Sequence, residues 1–239
     1  MLVKTEGIVL QNIKYADKKV ISKIYTRHYG LLTTHGFIGN TPLSKIKSST
    51  ILPLHQIEMS LVIKQNREVQ QLTEARSLFV YNSLTRDYNK LAIAQFMNEI
   101  LCKCLKEQTP NAELFNFVLA SYKWLDIQES NFNDFHIYFL FELSKFLGFE
   151  PHNNYSSENI YFDTREGKFT GHSVSFPMGL DKKQSELFLN LFNSELIKRK
   201  FTTTERAELI ECLLAYYKMQ VAGFNDLKSI SVLKEIFAS

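Results

Sequence analysis

Between Gly7 and about Arg76, apolar and polar residues alternate in short runs separated by turn-prone or charged pieces. GIVLQNIK, VISKIYTR, LLTTHGFIG, HQIEMSLVIK and VQQLTEA are rich in Val, Ile, Leu, Thr and Tyr, and the pattern predicts about five strands within some 70 residues. The second run shows two faces. Val20, Ser22, Ile24 and Thr26 point one way, while Lys19, Ile21, Lys23, Tyr25 and Arg27 point the other. Five short strands suit a small Greek-key barrel of the OB type, and a small SH3-like barrel gives a similar string. Between Thr33 and Leu52, the glycines, Asn40 and Pro42 followed by Ser44, Lys45, Lys47, Ser48 and Ser49 mark a loop whose second half is basic and rich in hydroxyls.

After about residue 80 the period becomes that of helices. Ile93, Phe96, Met97, Ile100, Leu101, Cys104 and Leu105 recur at three and four residues, and Glu113 to Asp126 continues in the same way. Phe135 to Leu147 is apolar almost all round, as in a central buried helix, and Gly148 stops it. Residues 150–178 interrupt the series with two strand-like pieces, NIYFD and KFTGH, joined by a TREG turn. Helices resume at Asp181 with Gln184, and at Thr202 with Glu205, both pairs spaced as capping boxes. The expected architecture is α+β: a barrel domain over 1–79, then an all-α helical domain over 80–239 with a hairpin insertion at 150–178.

Composition changes this picture little, whereas charge changes it a good deal. Hydrophobic residues make up 45% of the 239 and glycine only 9 positions, the balance of an ordered globular chain. No apolar run approaches the ~18 residues that span a bilayer, so a soluble cytoplasmic protein is expected. Three cysteines without a CxxC pair argue against a disulfide framework or a zinc site. Net charge is only +3, but residues 1–50 hold eight Lys or Arg against Glu6 and Asp17, a local excess that points to a polyanionic partner. Lys14, Lys18, Lys19, Lys23, Arg27, Lys45 and Lys47 are the candidate phosphate contacts, with Tyr25, Tyr29 or Phe37 available for base stacking. Lys14 and Lys18 need not lie on the face of the other strand cations. The plain alternative is a Lys-rich edge that keeps strands from pairing with other molecules.

Motifs for enzymatic chemistry are absent: there is no GxxxxGK[ST], GxSxG, HExxH or GxGxxG, and the six His have no metal-ligand spacing. A nuclease would need carboxylates around a divalent metal, and Asp17, Glu6 and Glu58 form no motif. Cys102 and Cys104 diverge by about 200° around a helix, so they do not share a metal. Cys104, Trp124, Tyr216 and Tyr217 read as packing residues. No catalytic residue, metal ligand or cofactor is assigned.

The opening KTEGIVLQNIKYADKKVISKIYTRHYGLLTTHGFIG, the LSKIKSS loop, FELSKFLGFEP at 141–151 and RAELIECLLAYYKMQVAGFNDLKSISVLKEIF at 206–237 resemble the RecO family of DNA repair and recombination mediators, its Bacteroidetes members most of all. The resemblance implies an OB domain, a helical domain and a zinc-ribbon-like insertion. It also implies binding of single- and double-stranded DNA and annealing of complementary strands in a nucleoid-associated setting. The implied partners are RecR, RecF and the acidic, Phe-ended tail of single-strand-binding protein, an assembly that lets RecA load without catalytic turnover. A pocket for that tail needs an apolar hole beside cations, for which Lys145, Lys198, Arg199, Lys200 and Arg206 are candidates. Where many members carry CxxC pairs, this chain has Tyr155, Ser156, Ser157 and Glu158, so a metal-free insertion is expected. At Gln220 the family commonly has His. The rival reading is a protein-interaction adaptor whose barrel does not touch nucleic acid.

Overall fold

The computed structural model describes residues 1–106, 109–193 and 195–238. Five strands come first: β1 (Leu2–Ala16), β2 (Lys19–Thr26), β3 (Gly30–Phe37), β4 (Gln56–Val62) and β5 (Val69–Ser77). Helices α1 (Tyr88–Cys104), α2 (Ala112–Ile127) and α3 (Phe135–Phe146) follow, then the short strands β6 (Tyr161–Asp163) and β7 (Lys168–Thr170), and then α4 (Lys182–Leu189), α5 (Thr203–Gln220) and α6 (Ser229–Ala238). The chain divides into two compact units. One contains the barrel and α2, the other α1, α3 to α6 and the β6–β7 hairpin.

The barrel closes in the order β1-β2-β3-β5-β4, with β3 and β5 parallel and every other pairing antiparallel. This is the OB arrangement, which settles the choice left open by the strand pattern. Closure depends on β1, which pairs with β4 over Leu2–Ile8 and with β2 over Gly7–Ala16. Where the two pairings overlap, Gly7 leaves no room for a side chain, since a Cβ there would lie 2.5 Å from Cγ2 of Ile24. Inward-facing Val9, Val20, Ile24, Leu32, Ile57, Met59, Leu61 and Leu72 fill the interior, as the alternation predicts.

Helix α2 covers part of the outside of this barrel. Asn111 caps it by accepting the Leu114 N–H at 2.9 Å, and Leu114, Phe115, Val118 and Tyr122 form its buried stripe. Near its other end the buried carboxylate of Asp126 accepts the backbone N–H groups of Asn82, Ser83 and Leu84 at 2.7–3.0 Å, tying the segment that leaves β5 to the helix.

In the helical unit both predicted capping boxes form, at Asp181 with Gln184 and at Thr202 with Glu205. Gly148 adopts φ +82°, and the N–H groups of Gly148 and Phe149 bond the carbonyls of Lys145 and Ser144, closing α3 with a Schellman turn. Helix α5 is buried on nearly all sides. Tyr217 donates to the Leu140 carbonyl at 2.7 Å, and Tyr216 donates to that of Phe149. Cys102 and Cys104 are half-buried and Cys212 is buried, its thiol pushed up to about 12 by desolvation.

The insertion is a hairpin, as expected, with an aromatic interior. Phe162 and Phe169 meet edge to face at 5.2 Å, and Phe162 packs on Phe188 and Tyr216 at 4.3 and 5.6 Å. Asn154 clamps β7 through both backbone groups of Phe169, each at 2.8 Å. Gln220 donates to the carbonyls of Thr164 and Arg165 at 2.8 and 2.9 Å, holding the turn onto the end of α5.

His136 lies fully buried in α3, edge-on to Phe96 at 5.8 Å. Burial, reinforced by the charge of Arg206, lowers its pKa to about 3. Its folded pKa is depressed, so the native state holds its full stability above the ordinary histidine value of about 6.5 and loses it as pH falls from there toward 3. We expect the urea midpoint of the intact chain to decline between pH 6.5 and 5, above the carboxylate range, and His136→Leu to remove the larger part of that slope, the remainder coming from His55, whose pKa burial also lowers.

Candidate nucleic-acid interface

The hairpin of β1 and β2 extends past the point where β1 leaves β4, and its outer surface continues onto β3. Register places Gln11, Lys23 and Thr33 in one row, Ile13, Ile21 and His35 in the next, and Lys19 beside Phe37 in a third. Tyr15 sits at the bulge between Lys14 and Ala16. Lys19 and Lys23 are exposed, as are Phe37 (62%), Ile13 (55%) and Tyr15 (53%). The Lys19 ammonium lies 5.5 Å from the centre of the Phe37 ring. Among the described residues no carboxylate pairs with Lys14, Lys18, Lys19, Lys23 or Lys47. Free cations beside solvent-exposed rings are the two ingredients of a single-strand platform.

The other end of the same strand face is closed. Tyr25 is 2% exposed, packs on Phe115 of α2 at 5.9 Å and donates to the Asn111 carbonyl at 3.2 Å. Desolvation raises its phenol to about 12. Tyr25 is therefore part of the seam between barrel and helix and offers no face to a base. Arg27 is also engaged. Its Nε and Nη2 each donate to Glu6 at 3.2 Å, Nη1 donates to Asn116 at 2.8 Å, and the guanidinium stacks 4.6 Å from the Phe115 ring. Tyr29 is half-buried against the barrel core, and its N–H bonds Thr26 Oγ1. Of the three rings named from the sequence, only Phe37 is fully open to solvent, and Tyr15 is a second exposed ring that the strand pattern did not single out. Counting seven residues out along each strand from the Thr26–Gly30 pair brings Lys19 opposite Phe37, so the hairpin register already contained that signal.

The remaining candidates scatter. Lys14 lies on the opposite pleat from Ile13 and Tyr15, level with Val20, and Lys18 is in the tip, where its carbonyl accepts the Ile38 N–H at 2.9 Å. Lys47 is exposed in the turn region, bridged to Gly39. Lys45 pairs with Glu74 at 2.8 Å on the β4–β5 face, where Lys4 and Arg76 also flank Glu58. There the Arg76 and Lys4 contacts hold the Glu58 carboxyl down at about 2. That face is charge-compensated, unlike the face around Lys19 and Lys23.

In the helical unit, Arg206 is buried with its Nε on Asp134 at 2.6 Å and Nη2 on the Phe201 carbonyl at 3.1 Å, so it braces the start of α5 and is withdrawn from any partner. Lys145 pairs with Glu142 at 2.9 Å and lies over Phe141. Lys198 pairs with Glu195 at 2.8 Å, Arg199 lies over Phe201, and Lys200 is exposed. Among the described residues no hydrogen bond, ion pair or ring contact joins Lys145 to the 198–200 run.

The segment that the resemblance likens to a zinc ribbon, residues 150–178, contains no cysteine. Ser156 Oγ accepts the N–H groups of Glu158 and Asn159 at 3.3 and 3.2 Å, and the Glu158 carbonyl sits where a Cβ on Gly171 would come within 2.7 Å. Among the described residues no group of three or more His, Cys, Asp or Glu is placed to hold a metal ion. Hydroxyl and amide groups already hydrogen-bonded to the backbone do not suit zinc.

Residues 1–81 match the family model described as Recombination protein O N terminal, and residues 85–229 match Recombination protein O C terminal. Proteins called DNA repair protein RecO are similar along the whole length. The one from Azobacteroides pseudotrichonymphae is 33% identical, covering 99% of this chain and 100% of its own length. That of Bacteroides fragilis is 34% identical with the same coverage, and that of Flavobacterium psychrophilum 31% identical over 100% of both chains. No helix among the described residues is long and apolar enough to cross a membrane.

The contrast between Arg27 and Lys23 is measurable. Arg27→Ala should lower the unfolding free energy by about 1–2 kcal/mol through loss of its charged hydrogen bonds and ring contact. Lys23→Ala should change it by less than about 0.5 kcal/mol. Parallel denaturant titrations of the two variants test this.

Proposed function

The chain belongs to the RecO family of DNA repair and recombination proteins, and from that premise we propose that it binds single- and double-stranded DNA on the β1–β2–β3 face of its barrel, anneals complementary strands and, with RecR and with RecF as a further partner, helps RecA load onto DNA coated by single-strand-binding protein. The observation that carries this reading is the segregation of charge. On the barrel, Lys19 and Lys23 stand without acidic partners beside Phe37 and Tyr15, whereas the cations of the β4–β5 face are matched by Glu58 and Glu74.

Lysine-to-phosphate contacts read no sequence, which suits annealing of any pair of complementary strands. Annealing joins two polyanions, so a cationic surface must screen one from the other. Lys18 at the hairpin tip, with Lys14 and Lys47 beyond it, extends the unpaired charge past the aromatic platform. The domain division proposed is a DNA-binding barrel domain followed by a helical domain for protein partners. For the acidic, Phe-ended tail of single-strand-binding protein, Lys145 over Phe141 and Arg199 over Phe201 each supply a cation beside an aromatic ring. The proposed role has no catalytic step and needs no cofactor.

Reversing Lys18, Lys19 and Lys23 to Glu should abolish annealing and leave the fold intact, since all three are exposed and unpaired. Replacing Lys19 or Lys23 singly by Ala should flatten the dependence of log affinity on log salt by about 0.7 for single strands. Annealing at the normal rate by the triple variant, with a native circular-dichroism spectrum, would place the groove elsewhere. A salt-independent band shift, or none, would favour the adaptor reading. Phe37→Ala should cost about 1–3 kcal/mol in single-strand affinity and much less for duplex, whose bases are already stacked, as fluorescence anisotropy with the two substrates would show.

A further inference from the structure

Behind the same hairpin, on the pleat opposite the aromatic platform, is a cavity of about 280 Å³ that the DNA-binding face does not use. It exists because β1 outruns its second neighbour. Pairing with β4 stops at Ile8, and the turn at 51–55 then takes over that edge, with Val9 and His55 joined at 3.0 Å, Leu54 bonded to Val9 at 2.8 Å and the Asn12 amide donating to the Ile51 carbonyl. Beyond Asn12 the inner side opens into a gap walled by Val20, Ile38 and Ile51, each at most 5% exposed, with Leu52 as an open wall at 46%. Lys14, Ser48 and Ser49 form the rim. The lining contains no acid and no aromatic ring, and its one cation has no carboxylate partner among the described residues.

We infer that this cavity receives one unstacked nucleobase of a bound single strand, with the phosphate of that nucleotide on Lys14 and the Ser48 and Ser49 hydroxyls. Aliphatic walls take a flat, weakly polar group, and a rim of one free ammonium and two hydroxyls takes the anion attached to it. Only a nucleotide joins those two chemistries in a polymer already attracted to this surface. A duplex holds its bases in the stack, so a flipped base is cheapest from a single strand. The inference rests on the proposed DNA-binding role and deepens it: the aromatic platform and the pocket flank one hairpin, and together they select an unpaired strand. Lys14, which alternation separates from Lys19 and Lys23, thereby has a role of its own.

The test uses the full chain and two labelled polymers of equal length, fifteen-residue oligothymidine and the corresponding abasic deoxyribose phosphate, measured by anisotropy. Ser48→Trp, which fills the cavity from its rim, and Leu52→Trp, which fills it from its exposed wall, should each weaken oligothymidine binding about five- to tenfold, near the low end of the range for one base. Leu52→Trp should leave abasic binding unchanged, and Ser48→Trp, which also removes a phosphate-facing hydroxyl, should weaken abasic binding by a smaller factor than oligothymidine binding. The Lys19→Glu, Lys23→Glu double variant should weaken both. Unchanged oligothymidine binding by both Trp variants, with native circular dichroism, overturns the pocket and leaves the platform standing. Free thymidine monophosphate binding to the wild type, with strand affinity untouched in the Trp variants, would make the cavity a mononucleotide site and likewise overturn the inference. Failure of the wild type to bind either polymer would remove the parent reading itself.

Discussion

The barrel rests on the double engagement of β1. One fifteen-residue strand supplies hydrogen bonds to β4 along its first half and to β2 along its second. The overlap falls at Gly7, where the chain must pass within 2.5 Å of Ile24 as measured from a notional Cβ. A strand that leaves one partner before the other necessarily has a far end with a single neighbour. Residues 13–16 are that end, and the features singled out as functional gather around it: the open rings of Tyr15 and Phe37, the unpaired Lys14, Lys18 and Lys19, and the cavity behind them. Closure of the sheet and the projection of its binding surface are two consequences of one strand length.

Charge is divided between faces. Cations beside the β4–β5 face are held by carboxylates, in the Lys4–Glu58–Arg76 and Lys45–Glu74 groups, and Arg27 is folded into a packing seam between Glu6, Asn116 and Phe115, whereas Lys19 and Lys23, with a strand on either side, have no carboxylate partner among the described residues. The paired side chains have little left for a phosphate: each would have to give up a partner first. The overall charge of +3 conceals this, because it counts Arg27 and Lys23 alike. Burial and pairing distinguish them, and only the second keeps its full electrostatic reach into solvent.

Local signals are legible in the chain, and long-range ones are not. The five strands, the two capping boxes, the glycine that ends α3 and the insertion hairpin depend on residues within a few positions of each other, so alternation and spacing revealed them. The OB arrangement needed the β1–β4 and β3–β5 pairings, which alternation does not encode. Tyr25 was misread because the outer face of β2 is wet at Lys19 and dry at Tyr25. What dries it is Phe115, ninety positions further on. Arg206 was misread for a similar reason, since its partner Asp134 lies on the far side of the insertion. Phe37 is the legible ring among the three, since its place opposite Lys19 follows from hairpin register alone.

The insertion is held by aromatic packing and side-chain tethers. A zinc site fixes a small hairpin by holding two turns at one point, and the binding free energy of the ion is then folding free energy. Here two turns approach one another, with Gly171 against the Glu158 carbonyl and Ser156 accepting the Asn159 N–H, and the strands between them are anchored by aromatic contact with α4 and α5. Gln220 adds a tether from the end of α5 to the hairpin turn. Phe162 and Phe169 bury enough surface against Phe188 and Tyr216 for a hairpin with three-residue strands, which would not stand alone in water, to hold its shape as part of a larger core. Stability here is spread over a surface. Hence the insertion in this chain is an outgrowth of the helical core, and its conformation follows the packing of α5 where a metal-bound knuckle would set its own.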